Sequence, residues 1–393
     1  MTTPAQAQAM NSPQRAFVTL LPMHAEQNMT ITHMLTVPSP WGSPLVMGSS
    51  GTDSAGEPIL VLVNEAPVNF LRPTRPLDEP DKWQLEMLHL QRASVDARLA
   101  AGSDLFHAAQ KGNDPPDAIV HIGDQQVGWE LTTFSIESRR LAHDLFIRVR
   151  GKVAFQQRHR VGHLTGHIVY MWFGAEGHGS GLPYRRNDDA AVDQLVEALV
   201  QYQPDPTHYT AEAQGGPPAQ LPAVFDTVNA PGDVAFFCTP FLNAVPTSPL
   251  FTLTGLEVGL AYQSVHTAHA EWQKLRATIH RKDHPGNKVL LISVGAPDRL
   301  GHQYPAEEVL AGFLLAHPES VKSDHLSAVI LHFWSTGRAV NILGDKPQEL
   351  WRPIYQGVAP ASQPFAAHDA GEAEAASVNL ETPRGTEQTP DGQ

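Results

Sequence analysis

Four continuous apolar runs set the limits on what this chain can fold into: ILVLV (59–63), HIVYMWF (167–173), KVLLISV (288–294) and SAVILHFW (327–334). Each is strand-sized and far short of the roughly 20 residues that a membrane-spanning helix needs. Between them lie segments with helical spacing at 79–101, 137–160, 189–202, 261–282 and 305–316, and two more strand patterns at 117–122 and 126–134. Helices interleaved with buried strands specify an α/β fold, a central mixed β-sheet flanked by helices on its faces. SAVILHFW and the following RAVNILG form a hairpin turning at Ser335–Gly337. Residues 203–233, with QPDP, GGPP and APGD, read as a long loop or insertion. The polar segment 1–35 and the acidic tail 357–393 are expected to be disordered. A length of 393 residues fits one large domain with insertions, or two domains.

Charge narrows the partners. With 27 Lys+Arg against 41 Asp+Glu the formal charge is −14, which disfavours an indiscriminate binder of nucleic acid or of anionic membranes. The single Cys238 excludes an intrachain disulfide and a thiolate zinc cluster. AFVTLLPM (16–23) lacks the flanks of a signal peptide, so the expectation is a soluble, cytoplasmic protein that does not engage membranes. The charge is unevenly spread, however. Residues 137–160 carry +5 and residues 274–288 carry +4, which leaves −23 on the rest of the chain. Phosphate backbones are bound by such local concentrations, although a solvated helix face has the same composition.

The segment PPDAIVHIGDQQVGWELTTF (115–134) is the most informative. Gly123–Asp124 is an accepted two-residue hairpin turn, which pairs Ile122 with Gln125 and, counting outward, sets Asp117 opposite Glu130. Strand alternation then places Asp117, Ile119 and His121 on one face with Gly128, Glu130 and Thr132, while Trp129 and Leu131 point the other way. Opposed residues have Cβ atoms roughly 4.5–5.5 Å apart. Two carboxylates so close need a shared proton or a cation, and a hard divalent ion such as Mg²⁺ suits them. The competing reading is a turn aspartate followed by a glutamate facing water.

Two helical patterns bear on this pair. In 261–282 the apolar residues Ala261, Val265, Ala268, Trp272, Leu275 and Ile279 alternate spacings of four and three, and the next slot is Lys282. An ammonium at the end of a buried stripe needs carboxylates, an anionic ligand or water. It equally suits the C-terminal end of a helix dipole. The first helix carries the stripe Trp83, Met87, Leu90, Ser94, Ala97 and Ala101, with Glu86 at its edge as a third acidic group or a dipole partner. The histidine series His159, His163, His167 is interrupted by Gly162 and Gly166, and GAEGHGSG (174–181) lacks a phosphate-loop pattern.

Pro116–Asp117, Glu130 thirteen residues later, Leu131–Thr132 and the preceding Glu86 together resemble the PD-(D/E)xK nuclease superfamily, and specifically its divergent members with Glu-x-Thr. The resemblance covers residues 80–135 and 261–345, with 137–260 as an inserted elaboration, inside a single α/β domain over 36–356. It implies a restriction-endonuclease-like core and Mg²⁺- or Mn²⁺-dependent hydrolysis of DNA or RNA. Asp117 and Glu130 would bind metal, and Glu86 would add a ligand. Thr132 stands where the family has its lysine, so that lysine has migrated, to Lys282 first or Lys152 second, or catalysis is lost. In the latter case the chain would bind nucleic acid or a protein partner without cutting. The phosphate-gripping residues would be Arg139, Arg140, Arg148 and Arg150, with Lys274 and Arg281 from the second basic segment.

Overall fold

The computed structural model describes residues 30–37, 46–63 except 54, 68–69, 81–174, 188–204, 234–240, 258–353 except 300, and 368–369. Most of the loop at 203–233, nearly all of the glycine-rich segment at 174–181, and most of both terminal segments lie outside these residues. The fold is mixed α/β, as the interleaved runs require, with two seven-stranded sheets where the sequence suggested one.

The first sheet uses β5 (Ala108–Lys111), β6 (Ala118–Ile122), β7 (Gln125–Phe134), β11 (Val289–Val294), β13 (Ala328–Phe333), β14 (Ala339–Asn341) and β15 (Gln348–Trp351). Its order is β15-β14-β13-β11-β7-β6-β5, with β7, β11 and β13 parallel at the centre and antiparallel hairpins on both flanks. The second sheet uses β1 (Thr30–Val37), β2 (Val46–Thr52), β3 (Pro58–Val63), β8 (His167–Phe173), β9 (Val234–Pro240), β10 (Val258–Thr267) and β16 (His368–Asp369), in the order β16-β1-β2-β3-β10-β8-β9. A two-stranded pair joins β4 (Val68–Asn69) and β12 (His302–Gln303). Strand β1 thus begins inside the N-terminal segment expected to be disordered, and β16 falls in the acidic tail.

Among the described residues, five α-helices cover the sheets: α1 (Lys82–Ala101), α2 (Glu137–Lys152), α3 (Asp189–Gln201), α4 (Ala268–Lys282) and α5 (Pro305–Ala316). Helix α1 packs Leu90 and Ala93 on Trp129, Leu131, Val289 and Leu291, one face of the first sheet. The opposite face, with Leu290, Ile292, Val329 and Leu331, meets α4 through Trp272, Leu275 and Ile279, and α5 through Val309, Leu310 and Phe313. Leu60 and Leu62 of β3 belong to this same core, so α4 and α5 fill the space between the sheets. Helices α2 and α3 bury Leu145, Val149, Leu195 and Leu199 against β8, β9 and β10.

Two helix boundaries differ from the periodic reading. Residues 258–267 are a strand buried along its whole length, and the helix starts only at Ala268. Ala261 and Val265 are four apart, an even spacing that keeps two side chains on one face of a strand as well as of a helix, so the period alone cannot separate the two. Thr267 marks the true start, its hydroxyl accepting from the Ala270 N–H at 3.3 Å. The basic helix likewise ends at Lys152 and continues as one π turn (Val153–Gln157) and two 3₁₀ turns. No helix among the described residues is long and apolar enough to cross a membrane.

Candidate metal centre

The β6–β7 ladder runs from Ile122↔Gln125 to Ala118↔Trp129, the register that a Gly123–Asp124 turn dictates. Asp117 stands one residue beyond the last pair. Its carboxylate takes up a backbone donor of the longer strand: Oδ2 accepts from the Leu131 N–H at 3.0 Å. Asp117 and Glu130 are both buried, 4 % and 2 % exposed. With Asp114 they form a group in which one carboxylate oxygen from each residue lies within 4.8 Å of the other two.

Two lysines reach this group from opposite sides of the sheet. Helix α4 ends at Lys282, whose Nζ donates to Glu130 Oε1. The turn that follows is tied down at two points. Buried Asn287 donates its side-chain amide to the Lys282 carbonyl at 2.8 Å, and the Lys288 N–H donates to the Gly128 carbonyl at 2.8 Å. Gly128 is required for that approach, since a Cβ there would stand 2.2 Å from the Gly286 carbonyl oxygen. Helix α1 supplies the other lysine. Asp81 and Gln84 form a capping box, 2.8 and 2.9 Å, that starts the helix at Lys82. Lys82 Nζ donates to Asp117 Oδ1 at 3.0 Å and lies 3.4 Å from Glu86 and 3.6 Å from Asp114.

Electrostatics separate the carboxylates. Burial pushes Asp117 up, but the Leu131 N–H and the two ammonium groups outweigh it and hold it below the ordinary carboxylate range. Burial and the neighbouring Asp117 charge raise Glu130, with Lys282 opposing them. Burial and Asp117 also raise Glu86, while the hydrogen bond to Asp117 raises Lys82. Glu130 Oε2 is buried with no hydrogen-bond partner. An orphaned carboxylate oxygen is costly unless a cation or a proton satisfies it.

The structure brings Asp117, Glu130 and Lys282 together, and beside them Asp114 and Lys82, which the sequence pattern did not single out. Glu86 touches the group through Lys82 rather than as part of the close oxygen cluster. Thr132 follows Glu130 on the same strand and is half-buried, with no side-chain hydrogen bond to the cluster. Lys152 is placed elsewhere, paired with Asp193 of α3.

The arginines of α2 also differ from expectation. Arg139 is 1 % exposed, donating to the Leu62 carbonyl at 2.9 Å and Ser264 Oγ at 2.8 Å and lying over the Tyr262 ring, so it cannot grip a phosphate. Arg140 pairs with buried Glu307 and stacks on Tyr304. Arg148 pairs with Asp189, and Arg150 is half-buried with its pKa lowered by that burial. The +5 segment is largely consumed in holding α2 against its neighbours. In the second segment Lys274 pairs with buried Glu271 at 2.6 Å, whereas Arg281 is exposed and pairs with no acidic side chain among the described residues.

No protein-family model, no curated protein and no solved structure matches this chain.

Proposed function

We propose that this chain is a divalent-metal-dependent nuclease that hydrolyses phosphodiester bonds of DNA or RNA, related to the PD-(D/E)xK superfamily. The observation that carries the reading is the buried pair Asp117–Glu130 with the Lys282 ammonium on Glu130. The donor set fits the metal: all-oxygen, strongly acidic, and containing one buried carboxylate oxygen without a partner. Asp117, Glu130 and Asp114 would hold Mg²⁺ or Mn²⁺. When bound, such an ion supplies Lewis-acid polarisation of a phosphoryl oxygen and a more acidic water.

The chain's own groups have separate tasks. Asp117, kept ionised by the Leu131 N–H and the lysines, anchors the cluster at the end of β6. Lys282 opposes the rise that burial and Asp117 impose on Glu130, and its remaining protons are available to orient an attacking water and neutralise charge developing on phosphate. Exposed Arg281, one residue away, is the α4 cation most available to a polyanion.

A second reading has its own support. Lys82 and Lys282 neutralise much of the cluster, as they would in a non-catalytic descendant that binds nucleic acid or a protein partner. Cleavage assays with Mg²⁺ or Mn²⁺ on single- and double-stranded DNA and RNA, comparing wild type with Asp117→Ala and Glu130→Ala, separate the two. Activity in wild type alone supports the nuclease; equal residual activity in all three refutes it.

A further inference from the structure

We propose that Lys82 is an internal counter-ion of the carboxylate cluster, a latch that a divalent cation must displace before it can be held there. This rests on the metal-centre reading above and adds a regulator to it.

The argument starts from how the oxygens of Asp117 are committed. Oδ2 accepts from the Leu131 N–H, so Oδ1 is the oxygen left for a cation, and Lys82 Nζ holds it at 3.0 Å. The same ammonium lies 3.6 Å from Asp114, a second member of the cluster. One lysine thus sits against two of the three groups that would hold the metal.

Lys82 differs from Lys282 in what releasing it requires. Its side chain is 62 % exposed, against 24 % for Lys282. It is the first residue of α1, behind a capping box that fixes the backbone without using the side chain. It can therefore rotate into solvent with no shift of helix or strand, whereas the Lys282 side chain is mostly enclosed. Glu86, one helical turn on at 3.4 Å, offers the ammonium a neighbouring carboxylate when it leaves Asp117.

Isothermal titration of Mn²⁺ and of Mg²⁺ into the full chain tests this, using wild type, Lys82→Met and Lys111→Met. Lys111 pairs across the ladder with Ala118, next to Asp117, and so controls for loss of one nearby charge without loss of a contact. Lys82→Met is expected to bind about tenfold tighter than wild type, the worth of one released charge-assisted hydrogen bond. Lys111→Met is expected to stay within about twofold, because a non-contacting charge in solvent is screened. Side-chain ¹⁵N resonances, with the Lys82 signal assigned by its loss in Lys82→Met, should show that ammonium moving to a solvent-like position when Mg²⁺ is added. Metal binding with unchanged or weaker affinity in Lys82→Met overturns the latch alone, as does an equal gain in both variants. No binding by any of the three proteins overturns the metal centre and the latch with it.

Discussion

Glu308, in the first turn of α5, is completely buried. Its Oε1 accepts from the Ser335 backbone N–H at 2.9 Å and from Ser335 Oγ at 2.6 Å. Gly295 leaves just enough room, for a Cβ there would stand 2.6 Å from that oxygen. Burial pushes the carboxyl up from its ordinary 4.5 to about 7, with the Ser335 donors and Arg92 pulling the other way. The native state therefore holds a proton that the unfolded chain releases. The stabilisation is fully present below pH 4.5 and is lost as pH rises through about 7. That rise corresponds to roughly 3 kcal/mol, most of it lost between pH 5 and pH 8. Glu308→Gln keeps the accepting oxygen and removes the titration. Denaturant unfolding at pH 5, 6, 7 and 8 should show the two proteins close together at the acid end and the variant more stable by about 2 kcal/mol at pH 8. Parallel stability curves across that range would refute the argument, because they would mean that Glu308 has the same affinity for its proton folded and unfolded.

Three further outcomes follow from named contacts. Gly128→Ala drives a methyl group into the Gly286 carbonyl, so it should lower stability by about 1–3 kcal/mol in a thermal melt and weaken metal binding by shifting Lys282. Lys282→Met should reduce metal-dependent cleavage by about a hundredfold or more, while Lys152→Met, which removes only the pair with Asp193, should leave the rate within about twofold. Arg139→Met strips donors from the Leu62 carbonyl and Ser264 and should cost about 3 kcal/mol in a denaturant titration, with no loss of nucleic-acid affinity in the folded fraction, as filter binding would measure.

The hairpin was readable because two local rules agree there: a glycine-led turn fixes the register and the period of two then assigns faces, so Asp117 and Glu130 meet by counting. Lys282 was readable as the slot after Ile279 in an apolar stripe. Lys82 had a signal that the periodic pattern passed over, the capping box Asp81–Gln84, which makes Lys82 the first helical residue and Glu86 its neighbour one turn on. Asp114 had none, since it sits in a loop with φ of 45°, and only the folded-back turn brings it to the cluster. Charge counts along α2 could not distinguish solvent-facing arginines from Arg139, because its partners lie on β3 and β10, distant in sequence. The division into two sheets was hidden for the same reason: β3 pairs with β10 across about two hundred residues, and no local period records such a pairing.

Thr267 closes β10 in the second sheet and caps α4, α4 ends at Lys282, and β11 of the first sheet begins at Val289. The lysine on Glu130 is thus the far end of a rigid rod whose near end is welded to the other sheet. Leu60 and Leu62 lie in the same core as Leu290 and Ile292, so no single cut separates the sheets without opening that core. The second sheet is therefore not an appendage to be trimmed. A fragment carrying the carboxylate hairpin without the second sheet would keep both acids and lose the support that aims the ammonium at them.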